Sequence, residues 1–345
     1  MSEIHIRTEG RAGLITLQRP KALNALTAPM IPAISKALSD WQSDASIDVI
    51  LFDAQGDKAF CAGGDIADLY AAGLNNDFAF GQKFWADEYR LNAQIAEFPK
   101  PTVSFLQGFT MGGGVGLGCH CKTRIVGDSS QIAMPECGIG LIPDVGGSLI
   151  LANAPGHIGE YLGLTAARLG PGDAIFAGFA DAYVPETDWD AIKATARAHG
   201  RIDIPKHPTP DTPLAGLQNE IDEVFSHETL GRIFAKLDSY DSDFAGKARK
   251  ALLRNSPLSM ACALDLIRDV RPAPTIRSAL SNEYRFTARA TQYGDFIEGI
   301  RAAIIDKDRA PKWRHGPTSV TAQDVAHMMA TLGTNELTWP NKEED

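Results

Sequence analysis

The sequence predicts an α/β protein with functional loops at its strand ends, and three observations carry that expectation. Short apolar runs of strand length recur, such as Val49-Ile50-Leu51-Phe52 and Thr102-Val103-Ser104-Phe105-Leu106. Segments of helical periodicity lie between them. Glycine-rich turns also punctuate the first half, where backbone can approach a ligand closely.

Taken in order, residues 4–7 and 14–17 read as short strands joined by a turn containing Gly10 and Gly13. Thr27 is expected to cap a helix with Pro29 in its first turn, ending near Trp41. Residues 48–53 form a buried strand, and residues 102–106 and 124–126 two more. Residues 78–98 read as a helix: at 100° per residue, Phe80, Phe84, Leu91, Ile95 and Phe98 share an arc of about 60°. Glu88 falls about 20° outside that arc, where the pattern alone favours a rim charge over a functional acid. Pro205, Pro208, Pro210 and Pro213 crowd residues 201–217, which read as a linker or strap. The expected organisation is therefore a core over 1–200 and a mainly helical region over 201–345, with a loosely held polar tail after Pro317. No internal repeat is evident.

With 345 residues and 44% hydrophobic content the chain can bury a full core. A formal net charge of −10, with Lys and Arg scattered, argues against a nucleic-acid surface. No apolar run approaches the ~20 residues that span a bilayer. The first residues lack the apolar core of a secretory signal and the Arg/Ser-rich composition of a transit peptide, so the cytoplasm is the expected compartment. The five cysteines show no disulfide framework. Cys119-His120-Cys121 has no second pair at zinc-site spacing and reads as buried thiols rather than a metal site.

The chemistry concentrates in three segments. Met134-Pro135-Glu136-Cys137-Gly138-Ile139-Gly140-Leu141-Ile142-Pro143-Asp144-Val145-Gly146-Gly147 places two carboxylates among Gly, Pro and apolar residues. Desolvation there raises a carboxyl pKa toward the range useful for proton transfer. Their spacing alone does not make them a pair, because an extended chain could hold them roughly 26 Å apart. Cys61-Ala62-Gly63-Gly64-Asp65 and Met111-Gly112-Gly113-Gly114-Val115-Gly116 are glycine turns, and Gly64 and Gly113 are candidate backbone donors to an oxyanion. Asp65 is expected to cap the helix that follows. His120 and His157 read as core or cap histidines. No Rossmann fingerprint, P-loop or nucleophile elbow is present. The three segments together suggest acyl transfer.

Arg19-Pro20-Lys21-Ala22-Leu23-Asn24-Ala25-Leu26, Phe60-Cys61-Ala62-Gly63-Gly64-Asp65-Ile66, the Met111–Gly116 run and Pro135-Glu136 resemble the enoyl-CoA hydratase/isomerase (crotonase) superfamily. Hydratases of that superfamily usually carry Glu where this chain has Gly116, and Gly where it has Asp144. The chain is more similar to the 3-hydroxyisobutyryl-CoA hydrolase branch, through Gly-Leu-Ile-Pro-Asp-Val-Gly-Gly at residues 140–147 and Asp306-Lys307-Asp308 with Pro311-Lys312-Trp313. The resemblance implies a crotonase-type spiral of repeated ββα units with a helical C-terminal region. It implies substrate contacts at Glu88, Gly113, Glu136, Asp144 and Ala62, an adenine site near Leu23, Ala25, Asp65 and Ile66, and a thioester carbonyl between Gly64 and Gly113.

The implied activity is hydrolysis of a short 3-hydroxyacyl-CoA in valine catabolism, without metal or redox cofactor. Glu136 would act as general base or nucleophile. Asp144 would hold the 3-hydroxyl or help protonate the leaving thiolate, and Glu88 would orient the substrate or its partner carboxylate. Rival readings are an enoyl-CoA hydratase or isomerase of the same superfamily and a non-catalytic acyl-CoA-binding protein. Relatives in this superfamily often associate through C-terminal helices, which allows a homo-oligomer here.

Overall fold

The computed structural model describes residues 3–339. In chain order it begins with β1 (Ile4–Glu9), β2 (Ala12–Leu17), α1 (Met30–Gln42), β3 (Val49–Ala54) and β4 (Ala59–Cys61). Next come α2 (Ala67–Leu74), α3 (Phe78–Ala96), β5 (Thr102–Phe105), β6 (Phe109–Met111) and α4 (Gly113–Gly118). The strands finish with β7 (Thr123–Val126), β8 (Gln131–Ala133), then α5 (Gly147–Asn153) and, after two more helices, β9 (Ala182–Tyr183). Helices dominate after that.

The strands form two sheets, one ordered β1-β2-β3-β5-β7-β9 and the other β4-β6-β8. Only the β1–β2 pair is antiparallel. Three successive pairs (β3 and β4, β5 and β6, β7 and β8) thus each give one strand to each sheet. That structural repeat left no trace in the sequence, because only the strand geometry recurs and the side chains filling each layer differ. The larger sheet is covered on both faces. In β3, Ile50 and Phe52 enter the main core, while Val49 and Leu51 pack with Trp189, Ile192 and Ala196 on the other side.

Several expectations need correction. Gly13 lies within β2, and Gly10 alone takes the left-handed turn conformation, at φ 58°. Thr27 does not cap α1: Pro29 occupies the cap position, and the Thr27 hydroxyl donates to Glu3 Oε2 at 2.7 Å. Asp65 does not cap α2 either, because it pairs with Arg19 at 2.9 Å. Both short polar side chains found an ionic partner brought in by tertiary folding. The tail is not loosely held through residue 339. A helix over Ala322–Met329 starts with a capping box formed by Thr321 and Asp324, and buries Met328. Leu337 is buried beyond it, and Glu336 pairs with Arg285 at 2.9 Å.

Candidate active site

The small sheet explains why distant glycines and acids meet. Its three strands are parallel, so their C-terminal ends share one edge. The chain leaves β4 into Ala62-Gly63-Gly64, β6 into Gly112 and the start of α4, and β8 into Met134-Pro135-Glu136. Because β6 lies between the other two, Gly113 falls beside Gly64 and Gly112 beside Glu136. A Cβ on Gly113 would stand 3.4 Å from the Gly64 nitrogen, and one on Gly112 would stand 3.0 Å from Glu136 Oε1. Gly63 (φ 114°) and Gly112 (φ 50°) hold backbone conformations that only glycine adopts readily.

These turns leave two donors free. Leu26 and Gly64 form an isolated parallel bridge in which Leu26 N–H donates to Gly63 O and Asp65 N–H donates to Leu26 O. The intervening Gly64 N–H therefore faces away from Leu26. Gly113 opens α4, where an N–H has no acceptor within the helix. Neither amide is matched by an acceptor among the described residues, and together they can grip one carbonyl oxygen.

A cavity of about 110 Å³ lies at this edge, lined by both glycines, Glu88, Glu136 and Asp144 together with Phe84, Trp85, Leu141 and Phe296. Glu88, Glu136 and Asp144 are all buried. Among the described residues, no Lys, Arg or His lines the cavity. Glu88 was expected at the rim of α3 but is buried. The C-terminal helix Ile276–Tyr293 packs on the far side of α3 and covers Tyr89, one residue beyond Glu88. The buried arc of α3 is thus much wider than one stripe, and a rim position becomes an interior one.

The turn carrying Asp144 is held from three sides. Tyr89 on α3 donates to Asp144 Oδ2 at 2.7 Å. Val145 has φ 54°, a strained value for a β-branched residue, and its carbonyl lies 2.8 Å from His120 Nε2. Glu283 accepts from Gly146 N–H at 2.8 Å and from Ser148 N–H at 3.1 Å, as well as from the Ser148 hydroxyl. Tyr89 and Glu283 were not anticipated. Tyr89 carried a usable signal, being adjacent to Glu88 on a helix with acids near it; Glu283, over a hundred residues downstream, carried none.

Burial raises all four acids. Glu136 is pushed well up by desolvation first and then by Asp144. Glu88 is pushed well up by the same two causes. Asp144 rises to about 7 through burial, opposed by the Tyr89 hydrogen bond, and Glu283 rises to about 8 through burial. Three neighbouring carboxyls without a cation cannot all ionise near neutrality, so the cluster holds protons that its members share. Tyr89→Phe removes a donor that favours the Asp144 anion. Asp144 then ionises at higher pH, and the limb of kcat/KM that it controls is expected to move upward, as a pH–rate profile would record. An unmoved limb would show that Asp144 does not control it.

The other predicted residues distribute as follows. Ala62 and Ile66 line the cavity. Leu23, Ala25 and Asp65 lie outside it, on the strap that supports the Gly64 turn: Ala62 N–H donates to Leu23 O at 3.0 Å, and Arg19 bridges Ala25 O and Asp65. Asn24 anchors that strap by donating to Gln55 O and Ala59 O. Cys119 and Cys121 are buried thiols, and burial pushes Cys119 up to about 12. His157 occupies the N-cap position of the helix Ile158–Thr165 and meets Glu160 at 3.0 Å.

Parallel strands feeding two free amides and a buried acid cluster are consistent with a crotonase-type spiral. Residues 12–329 match the enoyl-CoA hydratase/isomerase family, and the chain belongs to it. Over 97% of its length it is 36% identical to the 3-hydroxyisobutyryl-CoA hydrolase, mitochondrial, of Danio rerio, covering 91% of that protein. A crystal structure of an enoyl-CoA hydratase from Rhodobacter sphaeroides 2.4.1 is 55% identical, with a TM-score of 0.96 over 98% of this chain and 100% of that one. A carnitinyl-CoA dehydratase from Mycobacterium thermoresistibile is 38% identical, with a TM-score of 0.91 over 98% and 99% of the two chains.

Proposed function

We propose that the protein hydrolyses a short 3-hydroxyacyl-CoA thioester, 3-hydroxyisobutyryl-CoA to 3-hydroxyisobutyrate and CoA, as a step in valine catabolism. One observation carries the choice of reaction. At Gly116, where hydratases usually carry an acid, a Cβ would stand 2.6 Å from Asn92 Nδ2 and 2.9 Å from Val145 Cβ. That side of the site is closed to a second hydrating glutamate, while Asp144 supplies an acid on another side.

In this reading the thioester oxygen accepts from Gly64 and Gly113 N–H, which grip it more tightly as it becomes an oxyanion. Glu136 acts on the carbonyl carbon, either taking a proton from the attacking water or attacking directly to give a mixed anhydride that water then opens. The tetrahedral species collapses with C–S cleavage, and the CoA thiolate takes a proton from Asp144. Asp144 or Glu88 receives the 3-hydroxyl. Water, carboxyls and amides supply every step, so prolonged dialysis against chelator is expected to leave the rate unchanged.

The solved relatives named for hydration and dehydration favour a second reading, reversible hydration of an enoyl-CoA. Incubation with 3-hydroxyisobutyryl-CoA and with crotonyl-CoA separates the two. Thiol release from the first supports hydrolysis; loss of enoyl absorbance from the second without thiol release overturns it. The described residues include no helix long and apolar enough to cross a membrane. A cytoplasmic setting belongs to this reading and is tested by fractionation, since the curated relatives are named mitochondrial. A homo-oligomer is likewise part of it, checked by light scattering.

A further inference from the structure

Asn92 is fully buried on α3, one helical turn beyond Glu88, and neither its Oδ1 nor its Nδ2 has a partner among the described residues. An unmatched buried amide costs about 1–3 kcal/mol, so such groups mark places where something else makes the hydrogen bonds. Glu88 Oε1 is equally unmatched.

The two side chains face α4 in register. Glu88 Oε1 stands 2.7 Å from where a Cβ on Gly113 would be, and Asn92 Nδ2 stands 2.6 Å from where one on Gly116 would be. Glu88 and Asn92 are four residues apart on α3, so their Cβ atoms are about 5–6 Å apart. One water can bridge two polar groups so placed. A third fixed wall is Val145, whose Cβ closes the space beside Gly116.

We propose that Asn92 is a positioning residue for Glu88: through a single buried water it holds the Glu88 carboxyl against Gly113, so that Glu88 meets the substrate's 3-hydroxyl in one fixed orientation. The water accepts from Asn92 Nδ2 and donates to Glu88 Oε1, the two unmatched atoms that face α4. Selectivity for a hydroxylated acyl group then depends on Asn92, which never touches substrate. The selectivity part rests on the hydrolase reading above; the bridge itself does not.

Two measurements test it. A high-resolution crystal structure of the unaltered protein is expected to show one ordered water within hydrogen-bond distance of both the Asn92 amide and the Glu88 carboxyl; no water bridging the two would overturn the proposal whatever the enzyme's reaction. Asn92→Leu and Asn92→Ser are then compared with the unaltered enzyme on 3-hydroxyisobutyryl-CoA and on isobutyryl-CoA, which lacks the hydroxyl. The Leu variant is expected to lose about tenfold or more of the preference for the hydroxylated thioester, the scale of a lost hydrogen bond in a buried site. The Ser variant, which keeps a hydrogen-bonding group, should recover part of it. Equal losses on both substrates, with the preference intact, would mean that Asn92 is only structural. If the unaltered enzyme hydrolyses neither thioester, the functional reading fails and the crystallographic result alone decides the bridge.

Discussion

Glu136→Gln is expected to lower kcat for thioester hydrolysis by ~10²–10⁴ while leaving KM nearly unchanged, because the substitution keeps shape and removes the base or nucleophile. The same change is expected to stabilise the fold at alkaline pH. The folded-state pKa of Glu136 lies well above its ordinary value, through burial and the Asp144 charge. Between the ordinary value and the raised one, the folded chain holds a proton that the unfolded chain has released. Stability contributed by the protonated form is therefore complete in acid and is lost as pH rises through that window. A glutamine cannot ionise and escapes the loss, so thermal melts should show a gain at pH 8 and little at pH 4. Turnover within a factor of ten of the unaltered enzyme would remove Glu136 from the chemistry, and an equal gain at both pH values would remove the electrostatic explanation.

Gly113→Ala keeps its backbone N–H but crowds the oxyanion site, and is expected to lower kcat/KM by up to the ~10²-fold that losing a donor would cost. The new methyl would lie 2.7 Å from Glu88 Oε1 and 3.4 Å from the Gly64 nitrogen, between the acid and the paired donor. Glu88 Oε1 must move aside, while the Gly64 nitrogen keeps an ordinary contact. Gly64→Ala is the informative companion, since its methyl would meet only the Phe84 ring, at an ordinary 3.6 Å. That variant should melt like the unaltered protein, which separates damage to the site from damage to the fold. A Gly113→Ala enzyme with full activity would show that the position of Glu88 beside Gly113 does not limit the reaction.

Much of this arrangement was readable from local pattern. The strands around Val49-Ile50-Leu51-Phe52 and Val103-Ser104-Phe105 were legible because burial on both faces leaves a continuous apolar run. Residues 78–98 were legible as a helix, observed as Phe78–Ala96, because one stripe of that helix always faces the core. Gly64, Gly113, Glu136 and Asp144 stood out because glycine turns and isolated acids in apolar sequence are locally unusual. Glu88 was less clear, as periodicity reports the face toward one neighbour and α3 has two. The helix over Ala322–Met329 was missed for a related reason: its polar residues are many, and Met328 is buried only because other helices supply its contacts.

By itself the sequence determined which groups could do the chemistry: two glycine turns free of side chains, acids lacking nearby cations, and strands long enough to carry them. The tertiary structure decided which of those groups meet. Three parallel strands bring their ends to one edge whatever their separation along the chain, and one buried volume raises every acid placed in it. Tyr89, Glu283 and Asn92 acquire their roles from that enclosure, because hydrogen bonding and desolvation depend on distance through space, and a helix packed on both sides turns a surface position into an interior one.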